Sequence, residues 1–158
     1  MASNKYLSKS AIQTGMACKK ALYFRLFHPE LGREPTAAEQ LLLDRGNEVG
    51  ELPQKDFSGG TFIDVHHYDP DMSVTQIMDA LDRGATTIYE ASFAYDETLC
   101  KIDILDKNGP VWDLIEVKST TKVKMQHFMD VAIQAYIMMH QGLHMGKCYL
   151  MHISYKVR

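Results

Sequence analysis

Lys101-Ile102-Asp103-Ile104-Leu105 and Val111-Trp112-Asp113-Leu114-Ile115-Glu116-Val117-Lys118, joined through Lys107-Asn108-Gly109-Pro110, read as two β-strands and a tight turn. Both runs are rich in β-branched and aromatic residues, and the turn between them holds the residue types that set turn geometry. Upstream, Thr87–Tyr95 has the same character and is separated from Leu99–Leu105 only by Asp96-Glu97. Three consecutive strands with short turns predict an antiparallel meander.

Outward from the meander the period changes. Lys124–Gln141 carries apolar residues at helical spacing and stops at Gly142, after which Lys147–Ser154 reads as a last strand. On the N-terminal side, Ser73 opens a helix over Val74–Leu81 that ends before Gly84, and Thr61–Val65 follows the Gly59-Gly60 turn as a short strand. Thr36 caps a helix through Leu41, Leu42 and Val49 whose limit is Pro53. Ser8 or Ser10 caps an earlier helix that runs to Phe27 with Ile12, Met16, Leu22 and Leu26 on its apolar face, ended by His28-Pro29. The pattern predicts an α/β (α+β) fold in one domain over residues 1–158. Its parts are an N-terminal helical extension (1–35), a core of helix, three strands, helix and strand (36–57 and 86–154), and an insertion (58–85).

Composition sets the class. Of 158 residues, 46% are hydrophobic and 23% charged with five prolines, which excludes a disordered or fibrous chain and supplies enough apolar surface for a core without staples. No apolar run approaches the ~20 residues of a membrane span, and Met-Ala-Ser-Asn-Lys is not a signal core, so the expectation is a soluble cytoplasmic protein with no membrane partner. Cys18, Cys100 and Cys148 are odd in number and far apart, which excludes a disulfide framework and an all-cysteine zinc site. The net charge of −3 hides a distribution: six basic residues against one acid in 1–33, three against fourteen in 34–100, eight against five in 101–158. Basic ends beside an acidic middle suit a protein that holds phosphates and a divalent cation together.

Alternate residues of a strand share a face, so Glu116 and Lys118 point the same way. Asp103 lies on the strand expected to pair with theirs, and the hairpin brings it near Glu116. Each carboxylate interrupts an apolar run, where an unneutralised charge is costly. Two carboxylates suit a hard cation such as Mg²⁺, which keeps several waters and takes one or two protein carboxylates. The lysine beside them suits the orientation of a water or the stabilisation of developing charge.

Asp103 followed by Glu116-Val117-Lys118, in this order of elements, resembles the PD-(D/E)XK nuclease superfamily. Three further segments are similar to its RecB-type branch, which includes the CRISPR-associated exonucleases and related bacterial proteins. Leu7-Ser8-Lys9-Ser10 followed by Cys18 resembles its opening. Arg45-Gly46-Asn47-Glu48-Val49-Gly50-Glu51-Leu52 matches its Gly-containing helical motif, and Asp130-Val131-Ala132-Ile133-Gln134-Ala135-Tyr136 its Gln-plus-Tyr helix. The resemblance implies a restriction-endonuclease-like core and a Mg²⁺- or Mn²⁺-dependent deoxyribonuclease. Asp103, Glu116 and the main-chain carbonyl of Val117 bind metal in that reading, Lys118 is the catalytic lysine, and Gln134 supports the site or contacts DNA. Many members carry a His in the Gly-containing helix; the matching place here is Gly50, which makes Glu48 the candidate substitute ligand. Some relatives join an early cysteine to three later ones around an iron–sulfur centre; three scattered cysteines cannot supply four ligands, so no cluster is expected in this chain alone.

The remaining features are read from the residues. His127, Asp130 and Gln134 form a polar stripe on the Lys124–Gln141 helix, facing either the cleft or solvent, while Phe128, Ala132, Ala135 and Met139 form an apolar one, with Tyr136 assigned to the core. Lys122 and Lys124 just beyond the active strand, with Lys19, Lys20 and Arg25 on the first helix, are the candidate phosphate contacts for DNA or RNA. Glu90 interrupts an apolar strand and is a candidate third acid. His66-His67 beside Asp64 and Asp69 is read as loop rather than metal site, and His140 and His144 are separated by the helix-breaking Gly142. A non-catalytic nucleic-acid-binding module, one domain of a larger nuclease complex, and a homo-oligomer or partner subunit stand as the alternatives to a free enzyme.

Overall fold

The computed structural model describes residues 6–65 and 69–154. His66 and His67 therefore lie outside the described residues. The meander is present: β3 (Thr87–Tyr95), β4 (Thr98–Asn108) and β5 (Val111–Lys118) pair antiparallel in sequence order. Asp96 and Glu97 form the first turn with φ of 49° and 55°, the left-handed pair that suits a two-residue hairpin to strand twist. Gly109 at φ 63° makes the second. β6 (Met145–His152) returns parallel to β5, and the connection that parallel pairing requires is helix α5 (Met125–Met138). At the other edge β2 (Thr61–Phe62) runs parallel to β3, and β1 (Leu7–Ser8) runs parallel to the start of β4, completing a six-stranded mixed sheet. The fold is mixed α/β.

Two layers of helix cover the sheet. On one face α4 (Pro70–Asp82) and α5 bury Ile77, Ile137 and Met138 against Ile88, Phe93, Ile102, Leu105, Trp112 and Leu114. On the other, Tyr89, Ile104 and Ile115 form a smaller core with Phe57, Val117 and Met151, under the turn that follows α3 (Ala37–Glu51). Tyr89 hydroxyl donates to the carbonyls of Phe57 and Gln54, tying that turn to the sheet. Among the described residues no helix is long and apolar enough to cross a membrane.

Several boundaries differ from the sequence reading, each for a local reason. The expected single helix to Phe27 is two, α1 (Lys9–Ala17) and α2 (Lys19–Phe27), because Cys18 is extended at φ −159°, ψ 111°. Arg25 holds the corner by donating to Ser10 Oγ, Ser10 O and Thr14 Oγ1 at 2.7, 3.0 and 2.9 Å. Ser8, rather than Ser10, caps α1, accepting from Ala11 N–H. α4 starts at Pro70 and is capped by Asp69, since a proline at the first helical position loses no bond. The strand expected over Thr61–Val65 shortens to two residues. The thiol of Cys100 lies within the main core, where burial pushes it up to about 12, while Cys18 and Cys148 are exposed.

Of the two orientations open to its polar stripe, helix α5 takes the inward one. Its buried residues are His127, Asp130, Gln134, Ile137 and Met138, whereas Phe128 is 58% and Met139 55% exposed. Tyr136, assigned to the core from sequence, is 44% exposed and packs with Tyr95 and His140 at the surface. The polar stripe wins the interior because partners for it wait there. Helices α2 and α3 contain no buried residue and expose Tyr23, Phe27, Leu41, Leu42 and Leu43.

Candidate functional site

The ladder between β4 and β5 reaches Ile104 opposite Ile115 and goes no further. One step beyond are Asp103 and Glu116. There the Val117 N–H, instead of continuing the ladder, donates to Asp103 Oδ2 at 2.7 Å. β3 changes phase at the same level: Tyr89 pairs with Ile104 and Ala91 with Ile102, while Glu90 between them sits at φ 59°. A non-glycine residue held left-handed inside a strand costs of order 1 kcal/mol, and such strain collects at functional sites. Its consequence is visible on both strands: Ile88 and Ala91 on β3, and Ile102 and Leu105 on β4, are each three apart and share the main core although strict alternation would put them on opposite faces.

Glu116 is 2% exposed and fully engaged. Its Oε1 lies 2.6 Å from Lys118 Nζ and 2.8 Å from Lys9 Nζ, and its Oε2 accepts from Gln134 Nε2 at 2.5 Å. Burial pushes the Glu116 carboxyl up, but the two ammoniums outweigh it and hold the group below its ordinary value. Lys118 also reaches Asp130 Oδ2 at 2.6 Å, and Gln13 donates to Asp130 Oδ1. Burial favours the neutral amine of Lys118; Glu116 and Asp130 outweigh that and hold it above its ordinary value, so it stays an ammonium. Asp103 is the opposite case. Burial first, and the nearby Glu116 charge second, push its carboxyl up to about 7.

Around these groups lie two clefts. One of about 400 Å³ is lined by Gly46, Gly50, Glu51, Glu90, Asp103 and Val117 among others, and one of about 330 Å³ by Ser8, Lys9, Ser10, Lys101 and Asp103 among others. Asp103 lies where the two share a wall. Glu90 pairs with Lys101 at 2.6 Å. Gly50 and Glu51 line the first cleft; Glu48 is exposed and is not among its lining residues. Lys122 and Lys124 are exposed in the turn after β5, and Lys19, Lys20 and Arg25 are exposed on α2, where Arg25 is occupied by the α1–α2 corner and Lys20 lies over the Phe24 ring.

The structure thus gathers Asp103, Glu116, Val117, Lys118 and Gln134, and adds Lys9, Gln13 and Asp130. Lys9 and Gln13 come from the segment read as a peripheral extension, carried in by β1. Their signals in the sequence are placement on one face of α1 four residues apart and, for Lys9, its place in the Leu7-Ser8-Lys9-Ser10 segment. Asp130 lies in the polar stripe, and its role as the second partner of Lys118 follows from α5 facing β5.

No protein-family model, no curated protein and no solved structure matches this chain.

Among the described residues no three His, Cys, Asp or Glu side chains form a metal-ligating group. Asp103 and Glu116 are a pair, which is the carboxylate count Mg²⁺ ordinarily takes. Two observations fit a hydrated cation beside them. The Asp103 carboxyl is raised first by burial and then by the neighbouring Glu116 carboxylate, a repulsion that a cation relieves. The Gln134 Oε1 is buried without a hydrogen-bond partner, an acceptor suited to a site water.

Proposed function

We propose that this chain is a divalent-metal-dependent nuclease that hydrolyses DNA phosphodiester bonds, with the sheet and its flanking helices forming a restriction-endonuclease-like core of the PD-(D/E)XK kind. The observation that carries this reading is the joint placement of Asp103, Glu116 and Lys118 where the β4–β5 ladder ends, with Glu116 buried among cations. Asp103, Glu116 and the Val117 carbonyl would hold Mg²⁺ or Mn²⁺, which supplies charge to stabilise the phosphoryl oxygens and acidifies a water. Lys118 orients that water and balances charge growing on the phosphate. It acts as a donor rather than a base, because Glu116 and Asp130 keep it protonated. Gln134 fixes the Glu116 carboxylate, and Lys122 and Lys124 meet the DNA backbone beyond the site.

A second reading, in which the chain is one domain of a larger nuclease complex, is favoured by the exposed leucines of α3 and aromatics of α2. The test of the first is direct. Labelled single- and double-stranded DNA is incubated with the purified chain and Mn²⁺, beside Asp103→Asn, Glu116→Gln and Lys118→Ala. Each single variant is expected to lose at least ~10²-fold in rate, and the triple variant little more than any single one, because the groups act as a unit. Near-parental cleavage by any single variant removes that residue from the mechanism. DNA binding without cleavage by the parent protein replaces the enzyme reading with a binding module.

A further inference from the structure

Lys9 is the first residue of α1, directly after the Ser8 cap, and the first turn holds no acidic residue. A cation there opposes the helix dipole. What offsets it is Glu116: the Lys9 ammonium lies 2.8 Å from Oε1, across to the middle of the sheet. Yet Glu116 already has a cation in Lys118 and a donor in Gln134. The charges explain the second ammonium. Lys9 and Lys118 face three carboxylates, Asp103, Glu116 and Asp130, and Lys118 is shared between two of them. Lys9 also lines the same cleft as Asp103. Its ammonium therefore meets Glu116 on the wall of the cleft that Asp103 borders.

We propose that Lys9 is a displaceable placeholder cation: it satisfies Glu116 in the metal-free protein and must leave that oxygen for a divalent cation to bind between Glu116 and Asp103. The inference rests on the metal-dependent reading above. A divalent ion between Glu116 and Asp103 brings two charges where Lys9 brings one to Glu116, which makes the ammonium surplus and repelled. Its side chain is 22% exposed and borders an open cleft of about 330 Å³, so the displaced ammonium regains water without any movement of α1. Lys118 cannot play this part, because Asp130 anchors it from α5.

Binding of Mn²⁺ alone, with no DNA, is measured by titration calorimetry on the full chain and on Lys9→Met, Lys9→Gln, Lys9→Arg and Glu116→Gln. Lys9→Met and Lys9→Gln are expected to bind Mn²⁺ about tenfold tighter or more, while Lys9→Arg, which keeps the charge, stays within about threefold of the parent. Their metal-free melting midpoints fall by ~2–4 °C, and Mn²⁺ recovers more of the melting temperature in them than in the parent. Two neutral variants are used so that one with parental circular dichroism reports if the other misfolds. Unchanged or weaker Mn²⁺ binding in the neutral variants, with loss of binding in Glu116→Gln, overturns the placeholder role alone. Parental binding in Glu116→Gln overturns the metal site itself and the inference with it.

Discussion

Asp130, on α5, holds the Lys118 ammonium of β5 at 2.6 Å while Glu116 holds it at the same distance from its own strand. The lysine is thereby fixed from two elements rather than left to its rotamers. Asp130 is itself held by Gln13, which also accepts from Gln126 Nε2 at 3.1 Å. If Lys118 acts on a water, Asp130→Asn misplaces it without touching the DNA. Steady-state cleavage in Mn²⁺ should show kcat reduced by roughly 10–100-fold with KM for DNA unchanged. A change confined to KM would instead put Asp130 on the DNA-binding surface.

The raised carboxyl of Asp103 makes stability depend on pH in a stated direction. In the unfolded chain this carboxyl titrates near 4 and in the folded protein at about 7, so between those values the folded state binds the extra proton. Stability contributed by that proton is present below about pH 4 and is lost as pH rises through 7. Asp103→Asn, which keeps an acceptor for the Val117 N–H, should therefore be more stable than the parent at pH 8 by about 1–3 kcal/mol, with the difference vanishing near pH 4. Urea unfolding across that range measures it; a variant less stable at pH 8 would contradict the burial and the Glu116 repulsion that together raise this carboxyl.

Removing the Glu116 carboxylate leaves Lys9 and Lys118 facing each other without it. Glu116→Leu should destabilise by about 2–4 kcal/mol, below the ~3–5 of a fully buried pair because both ammoniums keep about a fifth of their surface in water. Adding Lys9→Met to it should recover part of the loss, a positive coupling read from a double-mutant cycle. Additive effects would mean that the Lys9–Glu116 pair contributes nothing to folding.

The orientation of α5 has its own check. Ile137 is fully buried and Phe128 is 58% exposed on the same helix. Ile137→Ala should cost about 2–5 kcal/mol, and Phe128→Ser within about 0.5 kcal/mol. Equal costs in thermal unfolding would place Phe128 in the core.

Replacing Lys122 and Lys124 together with Ala should weaken DNA binding about equally for unrelated sequences and flatten the salt slope by up to ~2. Filter binding across a salt series reads both. An unchanged slope moves the phosphate contacts away from the turn after β5.

The meander, the helix after it and the returning strand were legible in the chain because their signals are local. β-branched runs, two-residue turns and a helical period are properties of a few neighbouring residues, and Asp96 and Gly109 are residue types that enter the left-handed turn region more readily than most. The pairing of Glu116 with Lys118 was legible for the same reason, since strand alternation puts both on one face. Tertiary structure alone decided the rest. Whether the polar or the apolar stripe of α5 turns inward depends on what the sheet offers it, and Glu116 and Lys118 offer partners for Gln134 and Asp130 that outbid burial of Phe128. Lys9 reaches Glu116 only because β1 pairs with β4 and aims α1 across the sheet, a contact between residues 107 apart in the chain that no local pattern encodes. Local periodicity specifies which surfaces an element presents; only the assembled sheet, with its broken ladder at Asp103 and Glu116, specifies which of them is satisfied when water is excluded.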